Sequence, residues 1–192
     1  MIKVVTGMKK ILLHICCGPC AIHPVDSLRE KGFETHGYFF NPNIHPYTEY
    51  EKRQQTLQDY AEKIGLAVIY AKEYPIEEYF RQVAFRETER CRFCYTIRLR
   101  QAASVAKCGK FDCFTTTLLV SPYQKHELIR EVGEAAGREF DIPFYYADFR
   151  TGFKDATACS KQMGMYRQQY CGCVFSETER YRRKGMNDNG SV

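Results

Sequence analysis

No stretch of this 192-residue chain approaches the roughly 20 consecutive apolar residues of a membrane-spanning helix. The longest apolar run near its start, ILLHI (11–15), is too short for a secretory leader, and no small-residue cleavage site follows it. The expectation is therefore a cytoplasmic protein with no membrane partner. Nucleotide fingerprints are missing too: no G-x-G-x-x-G opens after the first apolar run, and there is no Walker A sequence, so no recognisable motif would bind a flavin or a nicotinamide. Internal repeats, linkers and low-complexity segments are also lacking. Residues 1–184 thus read as a single domain, and 185–192, GMNDNGSV, as a disordered tail.

What is present is a globular balance of 44% hydrophobic and 27% charged residues, with a net charge of +5 that permits a polyanionic partner without demanding one. Ten cysteines stand out. Disulfides are rare in a reducing compartment, and a chain of this size does not need them as staples. Clustered cysteines there bind metal or carry out redox chemistry, because thiolates are soft ligands that suit zinc and iron–sulfur clusters.

Strand-like and helix-like segments alternate along the chain. KILLHI (10–15) reads as a buried strand that stops at CCGPC, and AIHPVDSLREKG (21–32) as a helix ending at Gly32. FETHGYFF (33–40) and LAVIYA (66–71) are further strands. Between them a helix from Thr48 places Tyr50, Leu57, Tyr60, Ala61 and Ile64 near one face and closes at Gly65. Two helical segments then precede a fourth strand, FDCFTTTLLV (111–120). SPYQKHELIREVGEAAG reads as a helix with Ser121 as cap, Pro122 in the first turn and Gly137 as stop, and IPFYYADF (142–149) as a fifth strand. The pattern predicts a three-layer α/β domain around a mainly parallel five-stranded sheet. Such sheets bind ligands outside the carboxyl ends of their strands, near a topological switch point. The first cysteine cluster lies at such an end.

That cluster, Cys16, Cys17 and Cys20, is a C-C-x-x-C unit between strand and helix. Cys17-Gly-Pro-Cys20 carries the dipeptide of thioredoxin-like redox sites, and a helix N-terminus lowers thiol pKa values. The spacing serves a dithiol and a metal site equally well. Cys91 and Cys94, in RCRFC, open a helix as half a zinc site would. Cys171 and Cys173, in YCGC, flank a glycine that lets the backbone approach a neighbour closely. These seven thiols exceed the four ligands of one tetrahedral zinc or one 4Fe–4S cluster, so a second metal or a reducible dithiol can accompany a cluster. Cys108, Cys113 and Cys159 are isolated and read as packing residues.

HICCGPCA, FFNPNIHPYTEYEKR, RCRFCYTIRL, FTTTLLVSPYQKH and MYRQQYCGCVFS, in that order from about residue 11 to residue 176, closely resemble the epoxyqueuosine reductases of the QueH type. The resemblance implies a metal-dependent reductase that converts epoxyqueuosine to queuosine at the wobble position of tRNA, the last step of queuosine biosynthesis. It implies a fold similar to the adenine-nucleotide α-hydrolase and PP-loop group, with the cysteine motif where the PP-loop would be, so ATP hydrolysis is not implied. It further implies a 4Fe–4S cluster, room for an additional iron ion, and no use of cobalamin. Cys16, Cys17, Cys91, Cys94, Cys171 and Cys173 would be the metal or redox cysteines. Cys20 stands where some relatives carry aspartate, which points it toward a second metal or a catalytic role.

Removing the epoxide oxygen takes two electrons and two protons. The electrons come from an external donor, through a metal centre or through a dithiol that closes to a disulfide. Tyr123, Asp148, His14 and Tyr166 are the candidate proton donors. Lys52, Arg53, Lys125, Arg150 and Arg167 are the candidate tRNA contacts, with Asn41 and Asn43 as amides suited to base edges. Two other readings stand beside this one. A thioredoxin-like dithiol oxidoreductase leaves RCRFC and YCGC unexplained. A zinc-stabilised RNA-binding module does not account for three cysteine sets.

Overall fold

The computed structural model describes residues 8–188. Its centre is β1 (Lys10–His14), hydrogen-bonded in parallel to β2 (Glu34–Phe39) on one side and β4 (Cys113–Thr116) on the other. β3 (Val68–Tyr70) pairs in parallel with the far side of β2, so the strand order is β3-β2-β1-β4. A strand covered on both faces needs an unbroken apolar run rather than alternation. Ile11, Leu12 and Leu13 supply it and are wholly buried. The registers place His14 beside Tyr38 of β2 and Thr116 of β4.

Two groups of helices flank the sheet. α1 (Gly18–Glu30) packs against α2 (Tyr47–Ile64) and α6 (Phe153–Gln162). α4 (Arg90–Cys108) packs against α3 (Ile76–Val83) and α5 (His126–Glu139). This is the expected α/β architecture. Gly65 ends α2 in the left-handed conformation, at φ 59°. α7 (Val174–Asp188) makes residues 185–188 helical, where a disordered tail was expected; the rest of that segment lies outside the described residues. Among the described residues no helix is long and apolar enough to cross a membrane.

Two expectations are corrected. Among the described residues the sheet has four strands rather than five. In IPFYYADF only Phe144 pairs, with Phe114, through Phe114 N–H donating to Pro143 O at 3.0 Å and Tyr145 N–H donating to Phe114 O at 2.8 Å. Pro143 has no N–H with which to extend the ladder backwards. α5 begins at His126, not after Ser121, and runs past Gly137 to Glu139. Ser121 instead organises a turn, accepting Tyr123 N–H on its hydroxyl at 3.3 Å and Gln124 N–H on its carbonyl at 3.3 Å.

The chain leaves β1 toward β2 and later returns to β4 on the opposite side. The crevice between the carboxyl ends of β1 and β4 is therefore the topological switch point. Cys16 follows β1 there, and its N–H donates to Thr117 Oγ1, just past β4, at 3.1 Å.

Candidate functional site

Cys17 is the extended residue that precedes α1, at φ −171° and ψ 163°, and Pro19 occupies the first turn, where no N–H is required. This sharp strand-to-helix exit turns Cys16, Cys17 and Cys20 together, with all three sulfurs within 4.8 Å of one another. A tetrahedral ion with bonds to sulfur of about 2.3 Å separates its sulfurs by about 3.8 Å. Cys16 and Cys17 Sγ are 3.8 Å apart. Gly18 makes the turn fit, since a β-carbon there would stand 2.8 Å from Met165 Cε and 3.0 Å from Thr56 O. Thr117 Oγ1 donates to Cys16 Sγ at 3.4 Å, and Gln168 Nε2 donates to Cys20 Sγ at 3.4 Å. Hydrogen bonds from Cys17, Cys20 and Thr117, with the nearby Arg98 cation, draw the Cys16 thiol well below its ordinary range. Burial pushes Cys17 up, and donation toward Cys16 pushes Cys20 up, so the triad favours one thiolate held by two thiols.

The other two pairs meet in one pocket. Cys91 and Cys94 come from the first turn of α4; Cys171 and Cys173 come from the loop before α7. Gly172 makes this loop possible. Its φ of 134° disfavours side chains, and a β-carbon would stand 3.1 Å from Ile44, 3.2 Å from Asn43 and 3.3 Å from Arg53. Cys171 donates to Cys173, whose thiol is drawn down to about 5 by that bond and by Ser176. Burial pushes Cys94 up to about 11.

Arg98 also lines this pocket and is 2% exposed. It donates through Nε to Cys94 O at 3.0 Å and through Nη2 to Cys94 Sγ at 2.9 Å, and among the described residues it pairs with no carboxylate. A buried cation requires an anionic counterpart. Burial alone would lower the Arg98 pKa; the sulfurs of Cys94, Cys16 and Cys171, with Tyr95, raise it, so its counterpart is the thiol centre itself. Among the described residues the buried Asn43 Oδ1 of the pocket lining has no hydrogen-bond partner, and the Tyr79 hydroxyl faces the Cys173 thiol. Burial and the neighbouring Cys94 and Cys173 push the Tyr79 phenol far above its ordinary range. Converging soft donors, a buried guanidinium with no carboxylate among the described residues and a phenolic O–H facing sulfur fit an anionic metal–thiolate group.

The residues expected from the sequence are placed as follows. Arg53 is 1% exposed and cannot reach a phosphate. Its Nε donates to Glu49 Oε1 at 2.8 Å, Nη1 to Cys171 O at 3.2 Å and Nη2 to Tyr170 O at 3.1 Å. It thus fastens the YCGC loop to α2. Lys52, Lys125 and Arg150 are exposed, and Arg167 is half-buried. Arg150 is engaged by Asp148 through Nε at 2.8 Å. That contact holds the Asp148 carboxyl at about 2, so it has no proton to give near neutrality. His14 is wholly buried and kept neutral, its pKa lowered to about 4 chiefly by burial. Thr116 takes Leu118 N–H on its oxygen and so directs its own proton to His14 Nδ1, leaving Nε2–H for Phe40 O at 3.1 Å. His14 is thus a structural residue. Tyr166 donates to Glu49 Oε2. Tyr123 is 85% exposed and does not line the four-cysteine pocket. Asn41 is buried and donates to Ile15 O at 2.9 Å, which makes it a brace for the loop after β1. Of the isolated cysteines, Cys113 is buried, Cys159 is half-buried and Cys108 is exposed.

Arg98, Tyr79, Tyr95 and Gln124 were not anticipated. For two of them the signal was available: Cys91, Cys94, Tyr95 and Arg98 fall at i, i+3, i+4 and i+7, one face of a helix.

Over 80% of this chain and 75% of the other, the fold superposes with a TM-score of 0.52 and 11% identity on a predicted subunit of tRNA methyltransferase from Methanocaldococcus jannaschii, a likeness of fold alone. An epoxyqueuosine reductase QueH from Dehalococcoides mccartyi is 38% identical over 172 residues, spanning 90% of this chain and 94% of that one. Its counterpart from Thermotoga maritima is 34% identical over 183 residues, spanning 90% and 93%. Residues 11–179, which carry every cysteine of the triad and of the pocket, match the family model for epoxyqueuosine reductase QueH, and the chain belongs to that family.

Proposed function

We propose that this protein reduces epoxyqueuosine to queuosine in tRNA, with its seven clustered cysteines holding a 4Fe–4S cluster and an additional iron between them. The observation that carries the reading is the buried Arg98 guanidinium, bonded to Cys94 Sγ and without a carboxylate, amid cysteines from three separate segments. A thiolate-bound iron–sulfur group supplies electrons one at a time, and an external donor replenishes them. The overall change consumes two electrons and two protons, breaks both epoxide C–O bonds, forms the alkene and releases water. The chain's own residues do the rest. Arg98 and Arg53 lay positive charge beside the sulfurs. Tyr79, whose hydroxyl faces Cys173 in the pocket, holds a proton that a leaving oxygen there can take. Lys52, Lys125 and Arg167 remain the candidate phosphate contacts. The cytoplasm, where tRNA is modified, is the compartment this reading requires.

The test is anaerobic purification with iron and sulfide analysis, followed by reaction with tRNA carrying epoxyqueuosine and a low-potential reductant. Iron and acid-labile sulfide together with queuosine formation are expected. Zinc without sulfide, and tRNA recovered unchanged even after iron–sulfide reconstitution, would overturn the reading.

A further inference from the structure

Two aromatic rings on loops bordering the four-cysteine pocket have no role in the fold. Phe85 is 99% exposed, and its backbone sits at φ 60°, a conformation a glycine would hold without strain. Tyr123 is 85% exposed, and its one ring contact is an edge-on approach to Phe153, 6.0 Å between centres. An exposed phenylalanine in a strained conformation stabilises nothing in the folded chain, so its use lies in what the ring meets. Both are tied to the pocket by the chain. A single turn, Glu87–Glu89, leads from Phe85 to Arg90 and Cys91, and Gln124 directly follows Tyr123; all three of those residues line the pocket.

The surroundings indicate what the rings meet. Arg86, next to Phe85, and Arg81, in the last turn of α3, are exposed, and among the described residues neither is ion-paired; Arg86 lies over the Phe93 ring, 5.9 Å from its centre. The acidic Glu87 is engaged by Phe85's own N–H at 3.2 Å. Lys125, also exposed, follows Gln124. Isolated rings with cations nearby that no carboxylate holds match a single-stranded nucleic acid, whose bases stack on aromatic faces while its phosphates pair with cations. A protein partner would call instead for a contiguous apolar patch.

We propose that Phe85 and Tyr123 are stacking platforms for unpaired bases of the RNA loop that presents the reacting nucleotide to the pocket. The proposal rests on the reductase reading and extends it to how the RNA is gripped. It also assigns Tyr123 by its ring rather than its hydroxyl.

The experiment uses the anaerobically purified, metal-loaded full chain. Its probe is an anticodon stem–loop RNA with 2-aminopurine beside the wobble position. Anisotropy reports binding and 2-aminopurine fluorescence reports stacking. Phe85→Ala and Tyr123→Ala should each weaken binding roughly 5- to 150-fold, the effect of losing one base–aromatic stack, and should relieve the quenching. Phe85→Tyr and Tyr123→Phe should bind within about twofold of the parent. Wild-type affinity in both alanine variants would overturn the proposal, as would a Tyr123→Phe variant as weak as Tyr123→Ala. Intact RNA binding with slowed electron delivery from a protein donor would also overturn it, and would give the rings to that protein. Conversion of epoxyqueuosine tRNA by the parent protein is measured in parallel. Stacking without conversion upholds the platforms and refutes the reductase reading; conversion without stacking does the reverse.

Discussion

Replacing Arg98 with methionine separates a residue that serves a metal centre from one that merely fills the core. Methionine keeps the length and the apolar stem and removes the charge. In the loaded protein, reduction adds negative charge beside the place Arg98 occupies, 2.9 Å from Cys94 Sγ. A hydrogen bond from a charged donor contributes about 1.5–3 kcal/mol. If most of that falls on the reduced form, the one-electron potential drops by roughly 60–130 mV, at about 59 mV per tenfold change in equilibrium. The assay is a redox titration followed by EPR. In the metal-free protein the same change should cost less than about 1 kcal/mol in denaturant unfolding. A thiolate that loses its cation takes up a proton, so no charge is orphaned there, and Cys94, pushed up to about 11, is already neutral. An unchanged potential in Arg98→Met, together with about 3–5 kcal/mol of destabilisation without metal, the signature of a broken buried ion pair, would refute the reasoning.

Four further outcomes are expected. Cys91→Ser and Cys173→Ser should each lower iron and sulfide per chain while leaving the circular dichroism of the fold intact; full metal content in both would remove the four-thiol pocket from the ligand set. Tyr79→Phe should slow turnover by about 10²–10⁴-fold at unchanged metal content, and parent-like turnover would end its role as proton donor. Glu49→Gln strips the counter-charge from Arg53, which is 1% exposed, and should cost about 3–5 kcal/mol; a loss below about 1 kcal/mol in urea unfolding would contradict that. Arg150 holds the Asp148 carboxyl at about 2 against an ordinary 3.8. Its stabilisation is therefore complete above the ordinary value and lost as pH falls through the folded one. Screening at this exposed pair keeps it under about 1 kcal/mol, and an acid limb of the stability curve unaltered by Asp148→Asn would refute the pairing.

Much of the fold was written in local patterns. Ile11–Leu13 announces a doubly covered strand because nothing else in the run could face water. IPFYYADF misled because β-propensity says nothing about which backbone donors survive, and Pro143 removes one. Arg53 misled in the opposite way. As a cation it suggested the surface, yet it sits three residues after Tyr50 and four before Leu57, on the stripe of α2 that also buries Tyr60 and Ala61. Periodicity located it correctly where residue type did not. The cysteine triad was legible because strand, turn and helix are contiguous. The four-thiol pocket was not, since Cys94 and Cys171 are brought together only by the packing of α3 and α4 and by the loop that Arg53 fastens.

That fastening has a consequence for the order in which the protein is made. A nascent chain presents Cys16, Cys17 and Cys20 first, Cys91 and Cys94 next, and the YCGC loop only after α6 has been synthesised. Until Tyr170 and Cys171 reach Arg53, the pocket lacks half of its sulfurs. On the iron–sulfur reading proposed above, machinery that loads the centre must act on a chain that has already left the ribosome tunnel through Cys173. An interrupted translation product lacks part of the pocket's cysteines.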